Sequence, residues 1–149
     1  MPEDPSLRLD AQLCFALHAT TRAVVQTYEP LLKGLGVTYT QYLALLVLWE
    51  SDGPTIGQLG ERLFLDSGTV TPLVKRMEAN GFVRRQRSKT DERVVEVHLT
   101  AKGRGAKARA RLIPKTMLCH FGLTAEGANA LREQLTRLFH TMNPQETRS

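Results

Sequence analysis

The side chains with the most chemistry to offer are two cysteines, Cys14 and Cys119, in a chain of 149 residues. A thiolate attacks a peroxide oxygen to give a sulfenic acid, and a second thiol can then condense with that acid to a disulfide. Two cysteines this far apart make neither a disulfide scaffold nor a zinc site, and four scattered histidines add no metal-ligand spacing. No metal, no cofactor and no catalytic set is therefore expected. A lone helical cysteine is most often a small buried hydrophobe, so its surroundings must say more. Tyr28 follows Cys14 by 14 positions, which on a helix returns to within about 40° of the same face but about 21 Å further along the axis. The two residues share a face, cannot touch within one straight helix, and can meet only across an axis that sets two such helices against each other.

Charge supplies a second lead. The formal net charge is +5, divided as −2 over residues 1–50, +1 over 51–100 and +6 over 101–149. From Lys75 to Arg93 seven basic residues face only Glu78, Asp91 and Glu92. A basic segment confined to one region points to a polyanion partner or to a solvated face. At 42% apolar and 23% charged residues, the composition excludes a disordered or fibrous chain. The opening MPEDPSLRLD lacks the basic and apolar regions of a secretory signal. The longest apolar run, Leu43 to Trp49, is about a third of the ~20 residues that span a bilayer. A cytoplasmic protein without a membrane partner is expected, built as one domain.

Residues 1–9 read as a frayed terminus. Asp10 is placed to cap a helix carrying Leu13, Cys14, Leu17, Val24, Val25 and Tyr28, with Cys14 in its second turn, a kink or break at Pro30, and an end at Gly34 and Gly36. Thr38-x-x-Gln41 has capping-box spacing ahead of the apolar run Tyr42–Glu50, a buried helix. Asp52-Gly53-Pro54 is a turn. Thr55-x-x-Gln58 opens a short helix with Ile56, Leu59 and Leu63 inward. Asp66 and Ser67 start another, with Val70, Leu73, Val74 and Met77 inward and Asn80-Gly81 at its end. Pro72 predicts a local distortion there, because the Gly68 carbonyl loses its donor. The period then changes to 2 over 82–88 and 93–99, two strands around a polar tip at Lys89–Glu92. Thr100 starts a long basic helix that Pro114 interrupts and that runs on past Cys119. Thr124 caps a last helix with Leu131, Leu135, Leu138 and Phe139. The fold class is mainly α with a small β-hairpin.

Helix, short turn, helix, two-stranded hairpin is the layout of a winged helix-turn-helix, whose second helix presents its N-terminal side chains to base edges in the major groove. Ser67, Thr69 and Thr71 are short hydroxyls in that place, while Lys75 and Arg76 suit phosphates or guanine. Arg85 and Arg87 lie on the hairpin. Arg93, with Asp91 two residues away to orient it, is the residue for an adjacent narrow minor groove.

From about residue 10 to 140 the chain resembles the MarR family of dimeric bacterial transcription regulators. Asp91-Glu92-Arg93 followed by VVEVHLTAKG matches that family's wing signature. LFLDSGTVTPLVKRMEANGFVRR (residues 63–85), Pro72 included, matches the branch of organic hydroperoxide resistance regulators (OhrR type). The resemblance implies a two-fold symmetric homodimer built from helices of about 10–36 and 100–141, with winged helix-turn-helix lobes of about 38–99 reading a pseudo-palindromic operator in double-stranded DNA. The apolar first and last helices fit this, because alone they would expose much hydrophobic surface.

The same resemblance implies that Cys14 is the peroxide-sensing thiol and that Tyr28 and Tyr39 of the other subunit support its thiolate, since phenol hydroxyls donate to a thiolate. The helix N-terminus at Asp10 adds a modest push the same way. An apolar pocket drawn from Phe15, Leu17 and Trp49 would favour organic hydroperoxides. Where some relatives carry another tyrosine this chain has His18, whose role stays open. Cys119 stands where two-cysteine relatives carry a resolving thiol, which implies an intersubunit disulfide with Cys14 and release of the operator. The alternative is a MarR-type repressor released by a small phenolic or aromatic ligand, with neither cysteine sensory. No βαβ pattern surrounds Cys14 and a peroxidase would leave the hairpin unexplained, so an enzyme is not expected.

Overall fold

The structure, a computed structural model, describes residues 4–144. Two short 3₁₀ turns, Pro5–Leu7 and Leu9–Ala11, lead into α1 (Leu13–Lys33), α2 (Tyr39–Glu50), α3 (Ile56–Leu63) and α4 (Ser67–Ala79). The hairpin β1 (Val83–Arg87) and β2 (Val95–Leu99) follows, then α5 (Ala101–Ala110), α6 (Ile113–Phe121) and α7 (Ala125–Met142). The described residues up to Arg111 form one compact unit and those from Leu112 a second. Among the described residues no helix is long and apolar enough to cross a membrane.

Both capping boxes form: Thr38 accepts from the Gln41 amide and Thr55 from the Gln58 amide, each with the reciprocal glutamine bond. Each pair satisfies two N–H groups that a helix start leaves unbonded. The first helix departs from expectation. Asp10 is not its cap, because Arg8 holds the carboxylate at 3.0 Å inside the second 3₁₀ turn. The helix opens two residues later, after Gln12, whose side-chain amide donates to the carbonyls of Ser6 and Arg8. These bonds, with Asp4 capping the first turn, order residues 4–9 where fraying was expected; residues 1–3 lie outside the described residues. Cys14 is consequently the second residue of α1 and not in its second turn.

Neither Pro30 nor Pro72 breaks its helix. Pro72 lies on the exposed side of α4, opposite buried Val70, Leu73, Val74 and Met77, so its ring meets solvent. Pro114 does interrupt, standing in the first turn of α6. The strands are shorter than expected, in antiparallel register from Val83 opposite Leu99 to Arg87 opposite Val95. A piece of chain before α3 joins the hairpin's edge: Thr55 bridges Glu96, and the Val97 amide donates to the Pro54 carbonyl at 2.8 Å.

The core of the first unit lies between α2, α4, the hairpin and α5, with Leu45, Leu48, Met77, Phe82 and Val97 buried. Among its glycines the tightest position is Gly103, where a Cβ would stand 2.1 Å from the Phe82 carbonyl oxygen. Helix α5 therefore lies against the root of β1 with no room for a side chain. Gly103→Ala is expected to lower stability by about 3 kcal/mol or more, because the obstructing atom is backbone and cannot swing aside. A thermal melt checks this; an unchanged midpoint would mean that α5 sits further from the hairpin.

Candidate functional site

The turn between α3 and α4 is built for a tight corner. Phe64 ends α3 with a left-handed φ of 55°, and the Leu65 amide returns to the Gly60 carbonyl. Asp66 then caps α4, accepting from the Thr69 amide at 2.8 Å. This presents the start of α4 outward. Ser67, Thr69, Lys75 and Arg76 are exposed, whereas Thr71 is half-buried at the edge of the row. An uncovered helix start with two hydroxyls, followed about two turns later by two cations, offers donors to base edges and phosphates.

The hairpin adds a second set. Asp91 accepts from the backbone amide of Arg93, making a turn at the tip, and its two oxygens take the Arg93 guanidinium at 3.2 and 3.3 Å. Those bonds, the side-chain one foremost, hold the Asp91 carboxyl below the usual carboxylate range. The Arg93 side chain is nevertheless 90% exposed, so it is aimed without being consumed. The other hairpin arginines have structural duties. Arg85 pairs with Glu78 through both its backbone amide and its guanidinium, each at 2.9 Å, which ties β1 to α4 and lowers the Glu78 carboxyl. Arg87 donates to the Glu92 carbonyl at 2.8 Å and closes the tip.

The cations of α5 are likewise engaged. Lys102, Arg104, Lys107 and Arg109 donate to the carbonyls of Asn80, Leu99, Trp49 and Gly34 respectively. The last two are at the C-terminal ends of α2 and α1, where a cation satisfies orphan carbonyls and the negative end of the helix. Sequence reasoning missed these roles, since nothing in the spacing of a basic helix says which distant carbonyls it will reach.

Cys14 is exposed in the first turn of α1. The N–H groups there face outward along the axis and favour negative charge. Phe15 and Leu13 beside it are exposed, and His18 is exposed too. Phe15, Leu17 and Trp49 do not make one pocket as expected: Phe15 borders a shallow hollow with Arg8, Leu9 and Asp10, while the Trp49 indole is turned inward to the Gly103 carbonyl at 2.9 Å. Trp49 lies at the far end of α2, and that hydrogen bond fixes it against α5.

Tyr28 and Tyr39 do come together, with ring centroids 4.7 Å apart, and buried Tyr42 stands 5.7 Å from Tyr28. Burial, with the neighbouring phenols adding, pushes Tyr28 up to about 12, and burial raises Tyr39 and Tyr42 as well. All three are neutral phenols, able to donate a proton in a hydrogen bond, at any pH a cell meets. Because the folded value of Tyr28 exceeds its ordinary 10, its contribution to stability is complete below pH 10 and is lost as pH rises toward 12. Following phenolate absorbance and unfolding together across that window checks this; three tyrosines ionising near pH 10 in the folded protein would refute it. Beside Tyr39 a cleft of about 470 Å³ is lined by Val25, Leu32 and Val37 with Glu29 and Lys33 at hand.

Cys119 is exposed near the end of α6. The next helix, α7, buries none of its residues; Leu131 and Leu135 are exposed, as expected of that apolar helix in a single copy. Among the described residues no cluster of histidine, cysteine and carboxylates has the composition of a metal site.

Residues 26–110 match the family model described as transcriptional regulator SarA/Rot. The chain is 48% identical to the HTH-type transcriptional regulator TtmR of Methylorubrum extorquens, over 91% of this chain and 69% of that protein. It is 44% identical to the organic hydroperoxide resistance transcriptional regulator of Bacillus subtilis, over 92% of this chain and 93% of the relative. Among solved structures, reduced AbfR bound to DNA, a protein of Staphylococcus epidermidis, superposes with a TM-score of 0.77 at 35% identity, covering 92% of this chain and 96% of that one. These relatives are named as regulators and not as enzymes. A capped recognition-type helix, a two-stranded wing and full-length similarity to such regulators lead to one assignment: the chain belongs to the MarR-type winged-helix transcriptional regulators, in the branch of the organic hydroperoxide resistance regulators.

Proposed function

We propose that this protein is a DNA-binding transcriptional repressor that senses organic hydroperoxides at Cys14. The observation that carries the reading is the exposed thiol at the N-terminal end of α1 in a chain similar over nine-tenths of its length to a hydroperoxide resistance regulator. The DNA-bound state of AbfR supports the partner. Ser67, Thr69, Thr71, Lys75 and Arg76 of α4 read the major groove, and Arg93, steered by Asp91, enters the minor groove. Arg85 and Arg87 hold the wing in shape and add positive charge. The working unit is a homodimer on a pseudo-palindromic operator, its interface drawn from helices of about 10–36 and 100–141 and its lobes from about 38–99. Exposed Leu13, Phe15, Leu131 and Leu135 supply apolar surface for that interface. The protein acts in the cytoplasm, where thiols are kept reduced.

The chemistry is balanced in two steps. The Cys14 thiolate attacks the outer oxygen of ROOH; the O–O bond breaks, RO⁻ leaves and takes a proton as ROH, and sulfur is left as sulfenic acid. The Cys119 thiol of the partner subunit then displaces that hydroxyl, giving a disulfide and water. Tyr28 and Tyr39 of the partner subunit donate to the thiolate beforehand. About 21 Å of helix separates Cys14 from Tyr28 of its own copy, so the arrangement needs two copies. The disulfide displaces the helices that carry the wings, and operator affinity falls.

A gel-shift titration on the promoter beside its own gene, with and without an organic hydroperoxide, tests the reading, with matched samples on a non-reducing gel. Release together with a cross-linked dimer is the expected result; a complex indifferent to peroxide would end it. The apolar cleft beside Tyr39 and Lys33 favours one second reading, release by a small phenolic or aromatic anion bound there.

A further inference from the structure

The aromatic residues of α1 and α2 continue past the tyrosines. Tyr28 meets Tyr42, and Tyr42 meets Trp49 edge-on with centroids 6.4 Å apart. The Trp49 indole N–H donates across to the Gly103 carbonyl, a residue 54 positions away. Gly103 in turn rests on the Phe82 carbonyl, with no room for a Cβ between them. The same Phe82 carbonyl receives the Thr100 backbone amide, and the Thr100 hydroxyl bonds the carbonyls of Gly81 and Phe82. Phe82 immediately precedes β1, the first strand of the wing. One unbroken run of contacts thus joins Tyr28 to the root of the hairpin.

We infer that Trp49 is a coupling residue, whose ring contact with Tyr42 and hydrogen bond to Gly103 carry the state of the thiol site to the wing. The inference rests on the proposed peroxide reading. Its physical basis is stiffness. Buried Tyr42 cannot follow a displaced Tyr28 without pressing on Trp49, because interiors are close-packed. Trp49 cannot leave Gly103 without stranding a partly buried indole donor, so it takes α5 with it. Helix α5 cannot shift at Gly103 without moving the Phe82 carbonyl, because the two are already in contact. The bonds and ring contact of Trp49 go to Tyr42, Gly103 and Lys107, on α2 and α5, whereas Cys14 is on α1 and the DNA-facing side chains are on α4. It is therefore separable from both sensing and binding, as a residue that only couples two sites must be.

Trp49→Phe keeps an aromatic ring beside Tyr42 and removes the N–H. Three quantities are read on the homodimer: the rate of sulfenic acid formation at Cys14 with cumene hydroperoxide, operator affinity when reduced, and affinity after oxidation. Leu45→Val, a core trim of α2 off this run, controls for lost stability. The expected outcome for Trp49→Phe is wild-type oxidation, reduced affinity within about threefold of wild type, and a peroxide effect cut from tenfold or more to under about threefold, with the Leu45→Val effect retained. Full release of oxidised Trp49→Phe overturns the coupling and leaves peroxide sensing standing. Slowed oxidation of Cys14 in Trp49→Phe also overturns it, by moving Trp49's action to the thiol. Failure of the wild type itself to be oxidised or released defeats the sensing reading first. Should Trp49→Phe not fold, the wild type still decides, because Trp49 is the sole tryptophan. Its emission must change when Cys14 is oxidised and stay constant in Cys14→Ser, and an unchanged wild-type emission overturns the inference.

Discussion

With Cys14 replaced by serine, an organic hydroperoxide leaves the operator complex intact, while the same dose lowers wild-type affinity by at least tenfold. The size follows from what a coupling between two sites ordinarily achieves, about 5- to 150-fold. Serine is a clean substitution here. Its hydroxyl has nearly the volume of the thiol, can accept the same phenol hydrogen bonds from the partner subunit, and is at home in the first turn of a helix. Fold and reduced-state affinity should therefore be those of the wild type, and only the oxidisable sulfur is lost. Cys119→Ser separates the two chemical steps. It should still form the sulfenic acid, detectable by a trapping reagent, but give no cross-linked band on a non-reducing gel. If Cys14→Ser is released by peroxide as readily as wild type, the sulfur is not the sensor. A small aromatic anion in the cleft by Tyr39 then becomes the effector to titrate.

Sequence reasoning went furthest where local chemistry alone decides the outcome. Thr38 with Gln41 and Thr55 with Gln58 cap helices because each box is complete within four residues. Asp66 caps α4 and Asp91 turns the wing tip for the same reason, and Val97 and Leu99 are buried on the face that their alternation assigns. It failed where two local signals competed. Asp10 is a good cap residue, but Arg8, two positions earlier, claims its carboxylate and delays α1 to Leu13. At Pro72, the sixth residue of α4, the helix continues with the ring exposed, and the Gly68 carbonyl forgoes the one bond that proline cannot donate. Contacts between separate elements were not readable at all. Glu78 with Arg85, Trp49 with Gly103 and Arg109 with Gly34 depend on how finished elements pack. Cys14 and Tyr28 were readable only as two residues 14 positions apart on one helix, and nothing local showed that Trp49 would turn to Gly103 instead of lining a pocket with Phe15 and Leu17.

Arg93→Ala is expected to weaken operator binding by about 10- to 100-fold, the range for losing one well-placed guanidinium contact to DNA. Its side chain is 90% exposed, and its only partner among the bonds seen is Asp91, in an ion pair open to water. Such a pair adds little to stability, so the melting temperature should scarcely move. What the pair does supply is aim. The Asp91 carboxylate both makes the turn and holds the guanidinium in a fork, so less side-chain freedom is lost when DNA arrives. Asp91→Ala should therefore weaken binding too, by less than Arg93→Ala, and the two changes should not add, since both remove one positioned contact. The salt dependence of Arg93→Ala should lose about one unit of slope, as for one cation withdrawn from the duplex. Arg85→Ala gives the contrast. That guanidinium ties β1 to Glu78 of α4, so its loss should lower stability and affinity together. Equal operator affinity for Arg93→Ala and wild type at low and moderate salt would mean that the wing tip does not touch DNA, and recognition would then rest on α4 alone.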